Sequence, residues 1–214
     1  MHDLPLSSRR AYLKAAAALA VAVAYSPSSR GQDAAVSPLL LMRFHAPNLG
    51  ASDAKVNLVE FLDPACEGCR AFYPVVKQIL AEHKGRVRLW VRYVAFHRGV
   101  DFTVKALEAA RLQNRYWEAL DTVFAKQDQW TRNHAAIPDL VLKSLDGIGL
   151  DLARLQKDMQ NPDIERVLKQ DMADAKALKV VQTPTFFVNG KPLREHGFEP
   201  LRTLVREEVR AQYR

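Results

Sequence analysis

Residues 61–72 read FLDPACEGCRAF, and Cys66 and Cys69 within them are the only two cysteines in a chain of 214 residues. Two thiols separated by two residues suit a redox pair, half of a zinc site, or a coincidence. Just ahead of them, residues 55–62 (KVNLVEFL) form the short, largely apolar run of a buried central strand. Beyond them, Phe72, Val75, Val76, Ile79 and Leu80 recur at helical spacing as far as about His83. Pro74 lies inside that helix, where a proline should kink it. The cysteines therefore stand at a strand-to-helix junction, with Cys66 at or near the N-cap. Unpaired N–H groups and the positive end of the helix dipole favour a thiolate there. Cys69, one turn on, shares the face of Cys66 and is placed to displace a partner held there as a mixed disulfide. Cys66 reads as the nucleophile and Cys69 as the resolving thiol.

A zinc site would need a second pair of ligands at suitable spacing. No other cysteine exists, and His97 and His134 are isolated from each other and from the pair in sequence. Neither a metal nor a cofactor is expected.

The first 24 residues have a different character. SSRRAYLK (residues 7–14) is a basic segment, and AAAALAVAVA (residues 15–24) is an apolar run of ten, against about 20 needed to span a bilayer. With small residues at Ala22–Ala24, residues 1–24 read as an export signal peptide, and no stable membrane span is expected. Ser8-Arg9-Arg10-Ala11-Tyr12-Leu13-Lys14 resembles the twin-arginine consensus; a general secretory signal is the alternative. The mature protein is expected in the periplasm or otherwise exported. In an oxidising compartment a structural disulfide normally closes a long loop. Here the two cysteines are three positions apart, a loop too small to remove much unfolded-state entropy. Chemistry accounts for the pair better than structure does.

The net charge of +7 raises the question of nucleic acid. The arginines are scattered, without Lys/Arg runs or interleaved aromatics, so nucleic acid is not an expected partner. The 48% hydrophobic content indicates a globular chain with a core.

Residues 25–36 (YSPSSRGQDAAV) read as a flexible linker, and residues 37–214 as one domain. LLLMRFH (39–45) is expected as a first strand, followed by a turn over 46–53. VRLWVRYVAF (87–96) alternates as a strand, with Arg88 and Arg92 on the face opposite Val87, Leu89, Val91 and Tyr93. About 100–178 reads as consecutive helices broken at residues 131–138, 147–149 and 161–163. Strand signal returns in TFFVNGKPL (185–193), where Asn189-Gly190 marks a hairpin turn. A last helix is expected over about 199–213.

With those elements in place the chain resembles a thioredoxin-fold protein of the DsbA group. The motif Cys66-Glu67-Gly68-Cys69 lies between strand and helix, with Pro74 five residues after the second cysteine. Glu60, in VEF, is six residues ahead of Cys66, where the group carries a buried acid. VQTPTFFVNG (181–190) matches the cis-proline loop at Thr183-Pro184, and the helical block has the size of the group's insertion. The resemblance covers about residue 39 to 214. It implies an α/β thioredoxin fold: a central mixed β-sheet flanked by helices, with an inserted all-helical subdomain over about 100–178. It also implies roles. Glu60 would relay protons to or from Cys69, its pKa raised by burial, unless it is an ordinary strand-edge carboxylate. Thr183, before a cis Pro184, would offer its backbone to an extended substrate. A trans proline starting a strand is the plainer alternative.

Glu67 and Gly68 set the redox poise. Strongly oxidising members of the group carry histidine before the second cysteine. Glu67 would instead raise the Cys66 pKa, partly offset by Arg70, so a less oxidising pair is expected. The implied function is an exported thiol:disulfide oxidoreductase acting on cysteine-containing exported proteins, with a membrane redox partner. The alternatives are an isomerase or reductase dependent on a membrane reductase, and a non-catalytic peptide-binding module. The stripe Arg202, Arg206, Arg210, Arg214 reads as a solvated face, Trp90, Trp117 and Trp130 as packing, and His97 as structural.

Overall fold

The computed structural model describes residues 36–214. The expected signal peptide, and all of the expected linker but Val36, lie outside the described residues. A five-stranded sheet forms the centre, in the order β1 (Asn48–Leu49), β3 (Val87–Tyr93), β2 (Val56–Leu62), β6 (Thr185–Val188), β7 (Lys191–Pro192). β2 runs parallel to β3 and antiparallel to β6, so the sheet is mixed. Parallel neighbours need a crossover, and α2 (Glu67–Glu82) supplies it. β2 lies inside the sheet and is buried at every position but Asn57, as its nearly unbroken apolar run requires.

Side chains alternate along β2. Val56, Leu58 and Leu62 join the core containing Cys69, Phe72, Val76 and Ile79 of α2, together with Leu201 and Val205 of α9 (Phe198–Gln212). Val59 and Phe61 face the other way, onto Leu41, Ala175, Val180 and Phe187. Glu60 has the parity of Leu58 and Leu62, which puts its carboxylate on the α2 side, in the same layer as the cysteines.

Between β3 and β6 the chain builds a helical block: α3 (Val100–Arg111), α4 (Tyr116–Ala125), α5 (Gln127–Trp130), α6 (Pro138–Ser144), α7 (Leu152–Asp158) and α8 (Pro162–Ala177). The polar break at 131–138 contains a two-stranded ribbon, β4 (Thr131–Arg132) and β5 (Ala135–Ala136). Its turn residues Asn133 and His134 have φ of 50° and 57°, the left-handed pair a tight hairpin demands. The same device closes β6–β7, with Asn189 at φ 48° and Gly190 at 83°.

One expected element is absent. Residues 39–45 do not form a strand; Pro38–Leu41 is a short helix, α1, and the edge strand β1 lies in the stretch expected to be a turn. Proline at a first helical position and three leucines suit a helical turn, and an apolar run without alternation has no period to tell the two apart. The consequence shows at Arg92, which is fully buried. Its Nη1 donates to the carbonyl oxygens of Leu40 (2.7 Å) and Leu41 (3.0 Å), at the end of α1. Nε reaches Asp171 at 2.8 Å and Nη2 reaches Asp174 at 2.6 Å, both acids on α8. Arg43 makes a bidentate pair with Asp174, and Asp171 also accepts from the Tyr93 amide. The guanidinium lies over the Phe61 ring, 5.2 Å from its centroid. A charge this deep is tolerated because every direction of its planar fork meets an acceptor.

Candidate active site

β2 delivers the chain through Asp63-Pro64-Ala65 to Cys66, which is the N-cap of α2. Asp63 organises that passage. Fully buried, it accepts from Ala65 N on one oxygen (2.8 Å) and from Phe96 N, His97 N and His97 Nδ1 on the other, each at 2.9 Å. The loop after β3 is thereby tied to the loop before the cysteines. From the helical block, buried Gln127 donates its side-chain amide to the carbonyl oxygens of Pro64 (2.8 Å) and Cys66 (3.1 Å). Sequence reasoning missed both residues. Asp63 carried a usable signal, since Asp before Pro favours turns; Gln127 carried none.

Cys66 is half-buried and Cys69 fully buried, and both are free thiols. The Thr183–Pro184 peptide bond is cis. The Thr183 carbonyl oxygen lies 3.3 Å from Sγ of Cys66, and that sulfur donates to it when protonated. Gly68 sits against the same loop. A Cβ there would meet Cδ of Pro184 at 3.3 Å, with Sγ of Cys66 and the Thr183 oxygen each at 3.4 Å. Only the Pro184 contact is tighter than ordinary, so a side chain at this position would need the cis-proline loop to give by a few tenths of an ångström.

The electrostatics separate the two sulfurs. The Cys66 thiol is brought down to about 5, chiefly because the Cys69 thiol donates to it. Burial opposes this, while the Thr183 side chain and the backbone N–H groups of Cys69 and Gly68 assist. Cys69 is pushed well above its ordinary value, first by burial and then by the same hydrogen bond and the nearby charges of Glu60 and Cys66. Glu60 is raised to about 8 by burial and by the Cys66 thiolate, and its Oε1 has no hydrogen-bond partner among the described residues. At neutral pH the site therefore holds a thiolate at Cys66, a thiol at Cys69 and a neutral carboxyl at Glu60.

Two expected influences act differently. Glu67 is exposed and does not figure among the groups that set the Cys66 thiol, whose net displacement is downward. A side chain pointing into water has its field screened. Arg70 turns to Asp128, 2.6 Å away, instead of facing the thiolate. His97 is occupied by Asp63. Trp130 is fully buried, its indole N–H on the Val123 carbonyl, and Arg202 pairs with Gln78 and Glu82 of α2. Among the described residues no group of three His, Cys, Asp or Glu is placed to hold a metal, and no helix is long and apolar enough to cross a membrane.

The model of the thioredoxin family matches residues 45–207. The chain belongs to that family. Among its relatives, this thioredoxin-family protein is 28% identical over 173 residues to the probable disulfide bond formation protein D of Bacillus anthracis, covering 76% of this chain and 78% of that one. It is also 32% identical over 145 residues to the Na(+)/H(+) antiporter NhaA of Herminiimonas arsenicoxydans, covering 68% of this chain. The match takes in 22% of that protein, so the chain spans about a fifth of the antiporter's length. Among solved structures, a thioredoxin-like oxidoreductase from Silicibacter pomeroyi superposes with a TM-score of 0.71 at 28% identity, covering 84% of this chain and 99% of that one. BdbD from Bacillus subtilis, at 21% identity, shares the fold with the same TM-score over 79% of this chain and 96% of its own. The expected α/β thioredoxin fold of the DsbA group, helical insertion included, is the fold observed.

Proposed function

We propose that this protein is an exported thiol:disulfide oxidoreductase working through Cys66 and Cys69 on cysteine-containing exported proteins. The observation that carries the reading is the asymmetry of the pair: a lowered, half-exposed thiol at Cys66 against a raised, buried one at Cys69. In the reducing direction, the Cys66 thiolate attacks one sulfur of a substrate disulfide. A Cys66–substrate disulfide forms and the other substrate sulfur leaves as a thiolate. Cys69 then loses its proton and attacks Sγ of Cys66. The Cys66–Cys69 disulfide forms, the second substrate thiolate leaves, and two electrons have passed to the substrate. Glu60, of the strand parity that faces α2, takes up the Cys69 proton in its ionised form and returns it in the reverse, oxidising direction.

Thr183 serves substrate binding. Its N–H has no partner among the described residues, and with its carbonyl beside Sγ of Cys66 it offers a strand edge to an extended segment next to the reacting cysteine. Pro184 removes one competing donor. Gly68 keeps this edge close to the sulfur.

A Cys66 value of about 5 lies between roughly 7 for thioredoxin and roughly 3.5 for DsbA. The pair is then an oxidant of intermediate strength, regenerated by a membrane redox partner. The redox equilibrium of the mature protein against glutathione tests this. We expect a potential between about −270 and −120 mV; a value at either end would make it a dedicated reductase or a dedicated oxidase. Alkylating Cys66 should abolish activity; full activity after alkylation would leave only a binding module.

A further inference from the structure

Beside the Thr183–Pro184 loop lies a groove of about 380 Å³, walled by Phe96, Met172, Val180 and Val181 and by the exposed Lys176 and Lys179. We propose that this groove is a side-chain subsite that selects substrate segments carrying an apolar residue and an acidic residue close to the reacting cysteine. The inference rests on the oxidoreductase reading and adds a substrate class to it.

Its position ties it to the redox site on two sides. Val181 precedes Thr183 by two residues, so it is at most about 7 Å along the chain from the carbonyl that meets Cys66. Phe96 donates its amide to Asp63, three residues before Cys66. The loop itself presents an open edge, since among the described residues neither the Val181 nor the Thr183 N–H has a partner. A strand laid along that edge places every second side chain on one face. With the substrate cysteine opposite Thr183, the residue two positions away arrives over the groove.

The chemistry of the walls defines what fits. Val181 is 83% exposed and Phe96 44% exposed, and adjacent exposed apolar groups mark a contact surface. The volume takes one large apolar side chain with room beside it. Lys176 and Lys179 make no ion pair with any described residue. The acids of the same helix nearest to them, Asp171 and Asp174, are taken up by Arg92, Arg43 and His45. Two uncompensated ammonium groups beside an apolar floor complement a carboxylate next to an aliphatic or aromatic side chain.

The test uses cysteine peptides activated as thionitrobenzoate disulfides. Attack by the Cys66 thiolate on the peptide sulfur forms the Cys66–peptide disulfide and expels coloured thionitrobenzoate; Cys69 then closes the Cys66–Cys69 disulfide and releases the peptide thiolate. Leu and Glu, or Ser and Lys, are placed within two residues of the cysteine on either side. For the reduced wild-type protein, the Leu/Glu peptide should react at least about fivefold faster, the scale of one apolar contact plus partly exposed ion pairs. The K176E/K179E variant should reverse the charge preference, Val181→Ser should remove the apolar one, and 1 M salt should suppress the acidic one in wild type. Equal rates on the two peptides, or an acidic preference that survives charge reversal, would overturn the proposal. Reaction of the same protein with glutathione disulfide separates the two levels. A normal rate there with no peptide preference removes the subsite alone, whereas no reaction, or one that persists in Cys66→Ser, removes the oxidoreductase reading and the subsite with it.

Discussion

The side chain of Gln127 donates to the carbonyl oxygen of Cys66 at 3.1 Å, so a residue of the helical block holds the backbone of the nucleophile. The same amide also holds Pro64. Gln127→Met keeps the shape and removes both N–H donors, leaving the Pro64 carbonyl oxygen unpaired while that of Cys66 keeps the Arg70 N–H. We expect a loss of about 1–3 kcal/mol, read by urea denaturation. The thiolate absorbance of reduced protein at 240 nm should titrate at higher pH, because the Pro64 carbonyl, no longer turned toward Gln127, is free to face the sulfur. An unchanged titration would limit Gln127 to stability.

The pH dependence of the reduced protein follows from Cys66. Its folded value of about 5 lies below the ordinary 9.0. Between those pH values the unfolded chain binds more protons, so this thiol contributes stability that grows as pH rises from 5 to 9 and is lost as pH falls through 5. The oxidised protein has no such thiol. The stability gap, reduced minus oxidised, should therefore widen in favour of the reduced form from pH 5 to 8, read from paired denaturation curves. Cys69→Ala should move the 240 nm midpoint upward, since the Cys69 thiol is the main cause of the lowering.

Glu60 has the opposite sign. Raised to about 8 from an ordinary 4.5, it leaves the folded protein holding a proton that the unfolded chain has lost. Its contribution is whole below pH 4.5 and falls as pH rises toward 8. Glu60→Gln removes that slope. The variant should gain on wild type by up to about 1.4 kcal/mol per pH unit across this window, with the two most nearly alike near pH 4.5. Single-turnover release of substrate from the Cys66 mixed disulfide should slow in the same variant and lose any inflection near pH 8. If release keeps its rate and pH profile, the proton relay passes through another group.

Arg92→Met should be among the most damaging substitutions outside the redox pair. It takes the buried cation from between Asp171 and Asp174, leaving them only Arg43, His45 and the Tyr93 amide, and costs about 3–5 kcal/mol, measured by chemical denaturation. A loss below about 1 kcal/mol would mean that Arg43, His45 and the Tyr93 amide suffice to hold the two acids.

The parts of the fold that carry a local signal were legible. β2 announced itself by its short apolar run, α2 by apolar period, the β6–β7 hairpin by Asn189-Gly190, and the thiol pair by its place between strand and helix. What escaped was pairing across distance. Arg92 alternates with apolar residues and so reads as solvent-facing, because its partners lie 79 and 82 residues away on α8. Asp63 and Gln127 act on backbone groups, which leave no mark in side-chain patterns. Nearness in sequence to Cys66 likewise says nothing about which way the Glu67 side chain turns; it is exposed. The leucines of residues 39–41 fit strand and helix equally, and only the needs of Arg92 distinguish them.

The ties made by Arg92 and Gln127 bear on how such a protein is cut or enlarged. Removing residues 100–178 to reach a minimal redox domain would strip both carboxylates from a guanidinium inside the sheet layer and bare the Pro64 carbonyl beside the nucleophile. The helical block is thus not a detachable cap. New sequence is tolerated instead at sites that carry neither tie, such as the turn at Gly147, where the positive-φ glycine has open space around it.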